Sequence, residues 1–269
     1  MTDDNAIPAD AGVAGLRVFV TGGASGMGAA AVKDFARHGA RVFSFDLNDA
    51  AGEEIVKAAR AAACGPGSAE YLNCDVSDEA SVQAAFAAAA GILGGLDVLI
   101  HAAGVAPGAP ADQITLSGWE KVFAVNATGT FLANQAAFEL MKDTGGRIIN
   151  FASAAGIIGL PNKAHYSATK GAVLAWTRTV AKEWGRHGIT VNCLAPAIET
   201  PMYLKTRSLM SEEALAQLDA RMASDMPIDG KLGDPDRDLA PVLRFIAGPG
   251  SRFMTGQIFA VDGGIVMTR

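Results

Sequence analysis

The chain has 269 residues, half of them hydrophobic, and 31 glycines for sharp turns; it is long enough to bury a sizeable core as one large α/β domain or two small ones. A formal net charge of −6, with the basic residues scattered, argues against a nucleic-acid partner, because neutralising phosphates needs a basic face. No apolar stretch reaches membrane-spanning length without a Gly, Pro or charge, and Asp3, Asp4 and Asp10 stand where a signal peptide needs its charged and apolar regions. Cys64, Cys74 and Cys193 are odd in number and far apart, with no CxxC and no metal-ligand spacing. Three reduced thiols in a cytoplasmic protein, and no metal, are expected.

Residues 1–14 lack hydrophobic periodicity and are expected to be a mobile tail. Apolar runs of strand length then follow at Leu16–Val20, Arg41–Phe45, Glu70–Val76, Leu96–His101, Arg147–Phe151, Ile189–Leu194 and Gln257–Val261. Helical stretches lie between them, such as Ala29–His38 closed by Gly39 and Ala164–Arg186 closed by Gly188. Alternating strands and helices, with strands apolar almost throughout, predict a parallel sheet covered by helices on both faces. Seven strands make a single doubly wound α/β domain over residues 15–269, since no linker or internal repeat interrupts it. The segment 197–234 breaks the rhythm and carries Met202, Tyr203, Leu204, Leu209, Met210, Met222 and Met226 among polar residues. It reads as a substrate loop or lid after a strand's carboxyl end, as a surface helix pair whose methionines pack on the core, or as both.

The first strand runs into Thr21-Gly22-Gly23-Ala24-Ser25-Gly26-Met27-Gly28 and then a helix. Glycines there let the backbone approach a pyrophosphate, and the helix N-terminus meets the anion with unpaired N–H groups. The strand–turn–helix setting lifts the cluster above an ordinary glycine-rich turn. Asp46 ends the second strand, 18 residues after Gly28. A carboxylate there accepts from both ribose hydroxyls of adenosine and repels a 2′-phosphate; neither Ser25 nor Leu47 supplies a cation for NADP. NAD is the expected cofactor. The competing role for Asp46 is a helix cap. Asp75 ends the third strand and is placed to reach the adenine.

These residues and their successors resemble the short-chain dehydrogenases/reductases in their compact, single-domain, Rossmann-type branch. The turn matches that family's TGxxxGxG pattern. Asp75 in Cys-Asp-Val, Ala103-Gly104, Asn126 in Val-Asn-Ala-Thr-Gly, Ser153, Tyr166-Ser-Ala-Thr-Lys170, Val191-Asn192 through Pro196, and Val261-Asp-Gly-Gly264 then follow in family order. The match covers about residues 15–266. It implies a catalytic tetrad of Asn126, Ser153, Tyr166 and Lys170. Tyr166 and Lys170 are four apart and share a helix face. A neighbouring ammonium, with the positive ring of oxidised nicotinamide, favours the phenolate and suits Tyr166 to acid/base work. Ser153 donates to oxygen developing negative charge. Lys170 also holds the nicotinamide ribose, and Asn126 in this family holds a water that links Lys170 to solvent. The expected cofactor contacts are Gly22, Ser25, Gly26, Met27, Gly28, Asp46, Leu47, Asp75, Val76, Ala103, Gly104, Tyr166, Lys170, Pro196, Ile198 and Thr200.

Two departures stand out. His101-Ala102 replaces the usual Asn-Asn before Ala103-Gly104, so His101 is either a packed strand-end residue or a contributor near the adenosine. Ala197 replaces the usual Gly after Pro196. His165 is expected at an exposed helix position, with a pocket role as the alternative.

The implied activity is NAD-dependent interconversion of a secondary alcohol and a ketone, with a small-molecule substrate and a homotetrameric assembly in which Ile265–Arg269 could reach a neighbour's site. Substrate contacts are expected from Ser153, Ala155, Ile158, Tyr166 and Met202, with Ile157, Leu160, His165 and Ile198 around them. They are mostly apolar, and no Arg or Lys is evident to clamp a carboxylate or phosphate, so an alicyclic, aromatic or steroid-like substrate is expected. The alternatives are a 3-oxoacyl-carrier-protein reductase, against which Asp46 and Leu132 argue, and a catalytically silent NAD-binding sensor, against which the complete tetrad argues.

Overall fold

The structure is a computed structural model that describes residues 12–267. Among these, seven strands form one sheet: β1 (Arg17–Thr21), β2 (Arg41–Asp46), β3 (Ser68–Asn73), β4 (Val98–His101), β5 (Gly146–Phe151), β6 (Ile189–Pro196) and β7 (Ile258–Val261). Their order is β3-β2-β1-β4-β5-β6-β7, with every neighbouring pair parallel. The order reverses between β1 and β4, which leaves a crevice beyond their carboxyl ends. This is the expected doubly wound parallel sheet.

Alternating side chains explain why both faces must be covered. Val18 and Val20 enter one buried cluster, and Phe19 enters the other. Helices α1 (Gly26–Arg37) and α2 (Asp49–Ala62) cover the first face. On the second, α3 (Glu79–Leu93) brings Phe86 against Phe19 and Phe45, with ring centroids 5.2 and 5.0 Å apart. The helices α4 (Leu116–Phe123) and α5 (Gly129–Met141) are joined by a π-helical turn, Ala124–Thr128. After β5 come the short α6 (Ala155–Ile158) and the long α7 (Ala164–Trp184). After β6 come α8 (Pro201–Arg207) and α9 (Glu212–Asp225), and then α10 (Ala240–Ala247).

All seven expected strands occur, with shifted ends. The third stops at Asn73 instead of Val76, because Asp75 accepts from the backbone and hydroxyl of Ser77 and turns the chain toward α3. The expected tail mostly lies outside the described residues, yet its last part is corrected: Val13 is buried in the core and Gly15 donates to Gly39, so the packed chain starts before residue 15. The insert 197–234 is a helix pair as expected, but its methionines do not pack on the core there. Neither α8 nor α9 has a buried residue; Met226, just beyond them, is the one that is buried.

Candidate active site

Glycine decides how the nucleotide turn meets the sheet. Gly22 has φ +71°, and a Cβ there would lie 2.7 Å from the Ala103 nitrogen. Only a bare backbone lets the turn after β1 press against the end of β4. Ser25 precedes α1 without capping it through its side chain, and no acidic residue occupies the first turn. The helix N–H groups therefore face the crevice without a side-chain acceptor. Asp46 accepts from Ala24 N and Asn48 N, both at 3.1 Å, and so braces the turn. The competing capping role belongs to Asn48, which accepts from Ala51 N at the start of α2.

A cavity of about 450 Å³ opens along this crevice. Gly22, Ser25, Gly26, Met27 and Gly28 line one stretch of it, and Asp46, Leu47, Asp75 and Val76 line one end. Ala103, Gly104, Tyr166, Lys170, Pro196, Ile198 and Thr200 line the other end. Glycine-bared backbone, an uncapped helix start and a carboxylate thus face one elongated space, and this donor set fits a dinucleotide. Tyr203 and Leu232 line it from the expected substrate loop, and Cys74 and Ala106 also line it and were not expected. Ala106 follows Gly104 closely enough to be read from sequence, whereas Leu232 arrives only because the insert folds back.

The four proposed catalytic groups come from three segments. Asn126 sits in the π-helical turn, Ser153 follows β5, and Tyr166 and Lys170 occupy successive turns of α7. A Cβ at Gly156 would meet the Lys170 carbonyl carbon at 2.6 Å, so glycine lets the chain after Ser153 lie directly on α7. Lys170 is only 6 % exposed; its Nζ donates to the Phe151 carbonyl at 2.7 Å and lies 5.7 Å from the centre of the Tyr166 ring. Burial brings its pKa down to about 8, with Cys193 opposing weakly. Burial raises the Tyr166 phenol, and the nearby Ser153 hydroxyl pulls it only part of the way back. Lys170 is itself weakened as an ammonium and directs a proton to Phe151.

Asn126 is buried and almost fully engaged. Its Nδ2 donates to Val105 O at 2.8 Å and to Thr169 Oγ1 at 3.1 Å, while Oδ1 accepts from Val105 N at 2.8 Å. His101 is a packed strand-end residue that does not line the cavity. Its Nδ1 meets Thr21 Oγ1 at 2.8 Å, Nε2 has no partner, and burial with repulsion from Lys170 lowers its pKa to about 3. His165 is buried, contrary to expectation, on the helix α7 against which the π-helical turn and α4 pack.

The expected substrate contacts divide. Met202 lines the cavity and is half exposed. Ala155 is buried beneath the site, and Ile158 is 59 % exposed on α6 without lining the cavity. Ser153 Oγ accepts from Ala155 N at 3.2 Å. Among the described residues no cluster of His, Cys, Asp and Glu could hold a metal ion, and no helix is long and apolar enough to cross a membrane.

Comparison with known proteins supports the same reading. The family described as Enoyl-(Acyl carrier protein) reductase matches residues 22–266. Inactive 2-(S)-hydroxypropyl-CoM dehydrogenase 2 of Xanthobacter autotrophicus is 38% identical, covering 85% of this chain and 96% of that protein. The 2,5-dichloro-2,5-cyclohexadiene-1,4-diol dehydrogenase LinX of Sphingobium indicum is 37% identical, covering 94% and 96% respectively. A solved structure from Sinorhizobium meliloti 1021, assigned as a short-chain alcohol dehydrogenase, superposes with a TM-score of 0.85 at 28% identity, covering 94% of this chain and 97% of that one. Fold, motif order and these likenesses agree: the chain belongs to the short-chain dehydrogenase/reductase family of oxidoreductases.

Proposed function

We propose that the protein is an NAD-dependent dehydrogenase interconverting a secondary alcohol and a ketone, with an apolar, alicyclic, aromatic or steroid-like substrate. The observation that carries this reading is the convergence of Tyr166 and Lys170 with the glycine turn and Asp46 on one cavity. Bound nicotinamide supplies the hydride acceptor or donor. Tyr166 takes or returns the hydroxyl proton, and Ser153 donates a hydrogen bond to the substrate oxygen. Lys170, with its pKa near 8, exchanges that proton close to neutral pH. Asn126 has spent both amide hydrogens, so it serves the relay by fixing Val105 and Thr169 around Lys170 and by offering its remaining Oδ1 lone pair to a water. Asp46 favours NAD by repelling a 2′-phosphate. The apolar reading rests on Val105, Ala106, Ile198, Met202 and Leu232 at the cavity. Phe131 of α5, 38 % exposed and set edge-on against the half-buried Trp176 of α7, supports a homotetramer as the assembly.

The test mixes purified protein with NAD or NADP and a panel of secondary alcohols, and follows reduced nicotinamide by absorbance. Turnover with NAD on apolar alcohols is expected, and Tyr166→Phe should lose about 10²- to 10⁴-fold in kcat while still binding NAD. Preference for NADP with an acyl-carrier ketone would replace this reading by the reductase one. NAD binding without turnover of any alcohol would leave a silent binder, a real alternative because one relative is named inactive.

A further inference from the structure

The segment between β4 and α4 enters the cavity at Val105 and Ala106 and leaves it through Pro107-Gly108-Ala109-Pro110. It is tied down at three points. Asn126 grips both backbone groups of Val105. Lys163 Nζ donates to the Ala106 carbonyl. Ala109 N donates to the Asn162 carbonyl at 2.9 Å, and Asn162 adopts φ +58°, a left-handed conformation that aims its peptide there. Two of the three ties come from the residues immediately before α7, the helix that carries Tyr166. Lys163 is half-buried, forms no ion pair among the described residues, and does not itself line the cavity. A half-buried ammonium directed at a single neutral carbonyl is an uncommon use of a lysine, which ordinarily stays in water.

We propose that Lys163 is a positioning residue for substrate. It pins Ala106 and thereby fixes the cavity wall at a set distance from Tyr166, so that it determines which alcohols fit. The proposal rests on the dehydrogenase reading above for its kinetic consequence, but not for its structural one. The wall is apolar and made by backbone and small side chains, so its position, not its chemistry, sets the room available. Releasing the pin should widen the site for bulky alcohols and weaken the hold on small ones, while leaving the distant adenosine end unchanged.

The experiment compares wild type with Lys163→Met, which keeps the aliphatic stem, and Lys163→Arg, which keeps a cationic donor. Amide hydrogen exchange is followed at Val105, Ala106, Gly108 and Ala109 in protein without ligands, alongside steady-state kinetics with small and bulky secondary alcohols. For Lys163→Met we expect faster exchange at Gly108 and Ala109 and KM for a small alcohol raised about fivefold. Its kcat and NAD affinity should stay within about twofold, and the small-versus-bulky preference should relax. Lys163→Arg should restore most of the KM. Unchanged exchange and unchanged KM in Lys163→Met would overturn the proposal, as would an equal loss of kcat and NAD affinity. If Lys163→Met fails to fold, Lys163→Gln takes its place: its side chain is too short to reach Ala106, so wild-type exchange and KM there would also overturn it. Failure of every alcohol to react with wild-type enzyme would count against the dehydrogenase reading alone, because the exchange measurement needs no substrate.

Discussion

Lys170 and His101 are both buried ionisable groups on the α7 side of the sheet, and both are pushed toward neutrality. For Lys170 that serves chemistry, since a pKa of about 8 lets it gain and lose a proton near neutral pH. His101 has no such task, and its depressed pKa becomes a statement about stability. The unfolded chain binds a proton on this histidine below its ordinary value of 6.5, whereas the folded chain resists until about 3. Stability present above pH 6.5 is therefore lost as pH falls toward 3, at up to about 1.4 kcal/mol per pH unit. His101→Asn keeps a side chain able to bond Thr21 but removes the titration. Urea unfolding of the variant should show a shallower fall between about pH 6.5 and pH 4 than wild type shows. Identical slopes in the two proteins would mean that His101 gains a proton in the folded state without penalty.

Among the elements, what could be read from the sequence divides by how local its cause is. β2, from Arg41 to Asp46, is an apolar run whose period and closing carboxylate lie within six residues, and it appeared where the residues place it. The Tyr166–Lys170 pair needs only a helix, which α7 supplies. The burial of His165 has no such local cause, since α7 is covered by the π-helical turn and α4, segments about 40 residues or more away in sequence. The fate of the methionines in 197–234 was equally hidden, since neither α8 nor α9 holds a buried residue and side chains distant in sequence tie the two together. Arg207 pairs with Asp219 and lies over Tyr203, whose hydroxyl also contacts Met222 sulfur at 3.1 Å. Met202 and Tyr203 line the cavity from this hairpin. Arg207→Ala should therefore loosen the cover and raise KM for the alcohol several-fold. The thermal midpoint should move by no more than about 2–4 °C, because solvent screens such a pair and leaves it little weight in stability. An unchanged KM would show that the hairpin's order is maintained without Arg207, and a collapse of the midpoint would show that it supports the fold.

For the whole molecule, the site is an exception carved into a tightly packed interior. Phe19, Phe43, Phe45 and Phe86 interlock on one face of the sheet, and the other face is closed by aliphatic residues of β1, β5, α1 and α10. Into this setting the fold admits Lys170, whose folded pKa of about 8 lies below its ordinary 10.5. The unfolded state thus holds the proton more tightly at every pH below about 10. The stability that a neutral Lys170 would allow is present above pH 10.5 and is lost as pH falls through 8, which amounts to about 3 kcal/mol at neutral pH. Lys170→Met removes that penalty but leaves the Phe151 carbonyl without its donor, a loss of about 1 kcal/mol. The balance favours the variant. At pH 7 its thermal midpoint should exceed that of wild type by about 4–8 °C, whereas the advantage should vanish near pH 10, and dehydrogenase turnover should be lost at both. A midpoint that falls at neutral pH would mean that the Phe151 hydrogen bond outweighs desolvation. A gain that persists unchanged at pH 10 would trace it to apolar packing, with the buried charge contributing nothing.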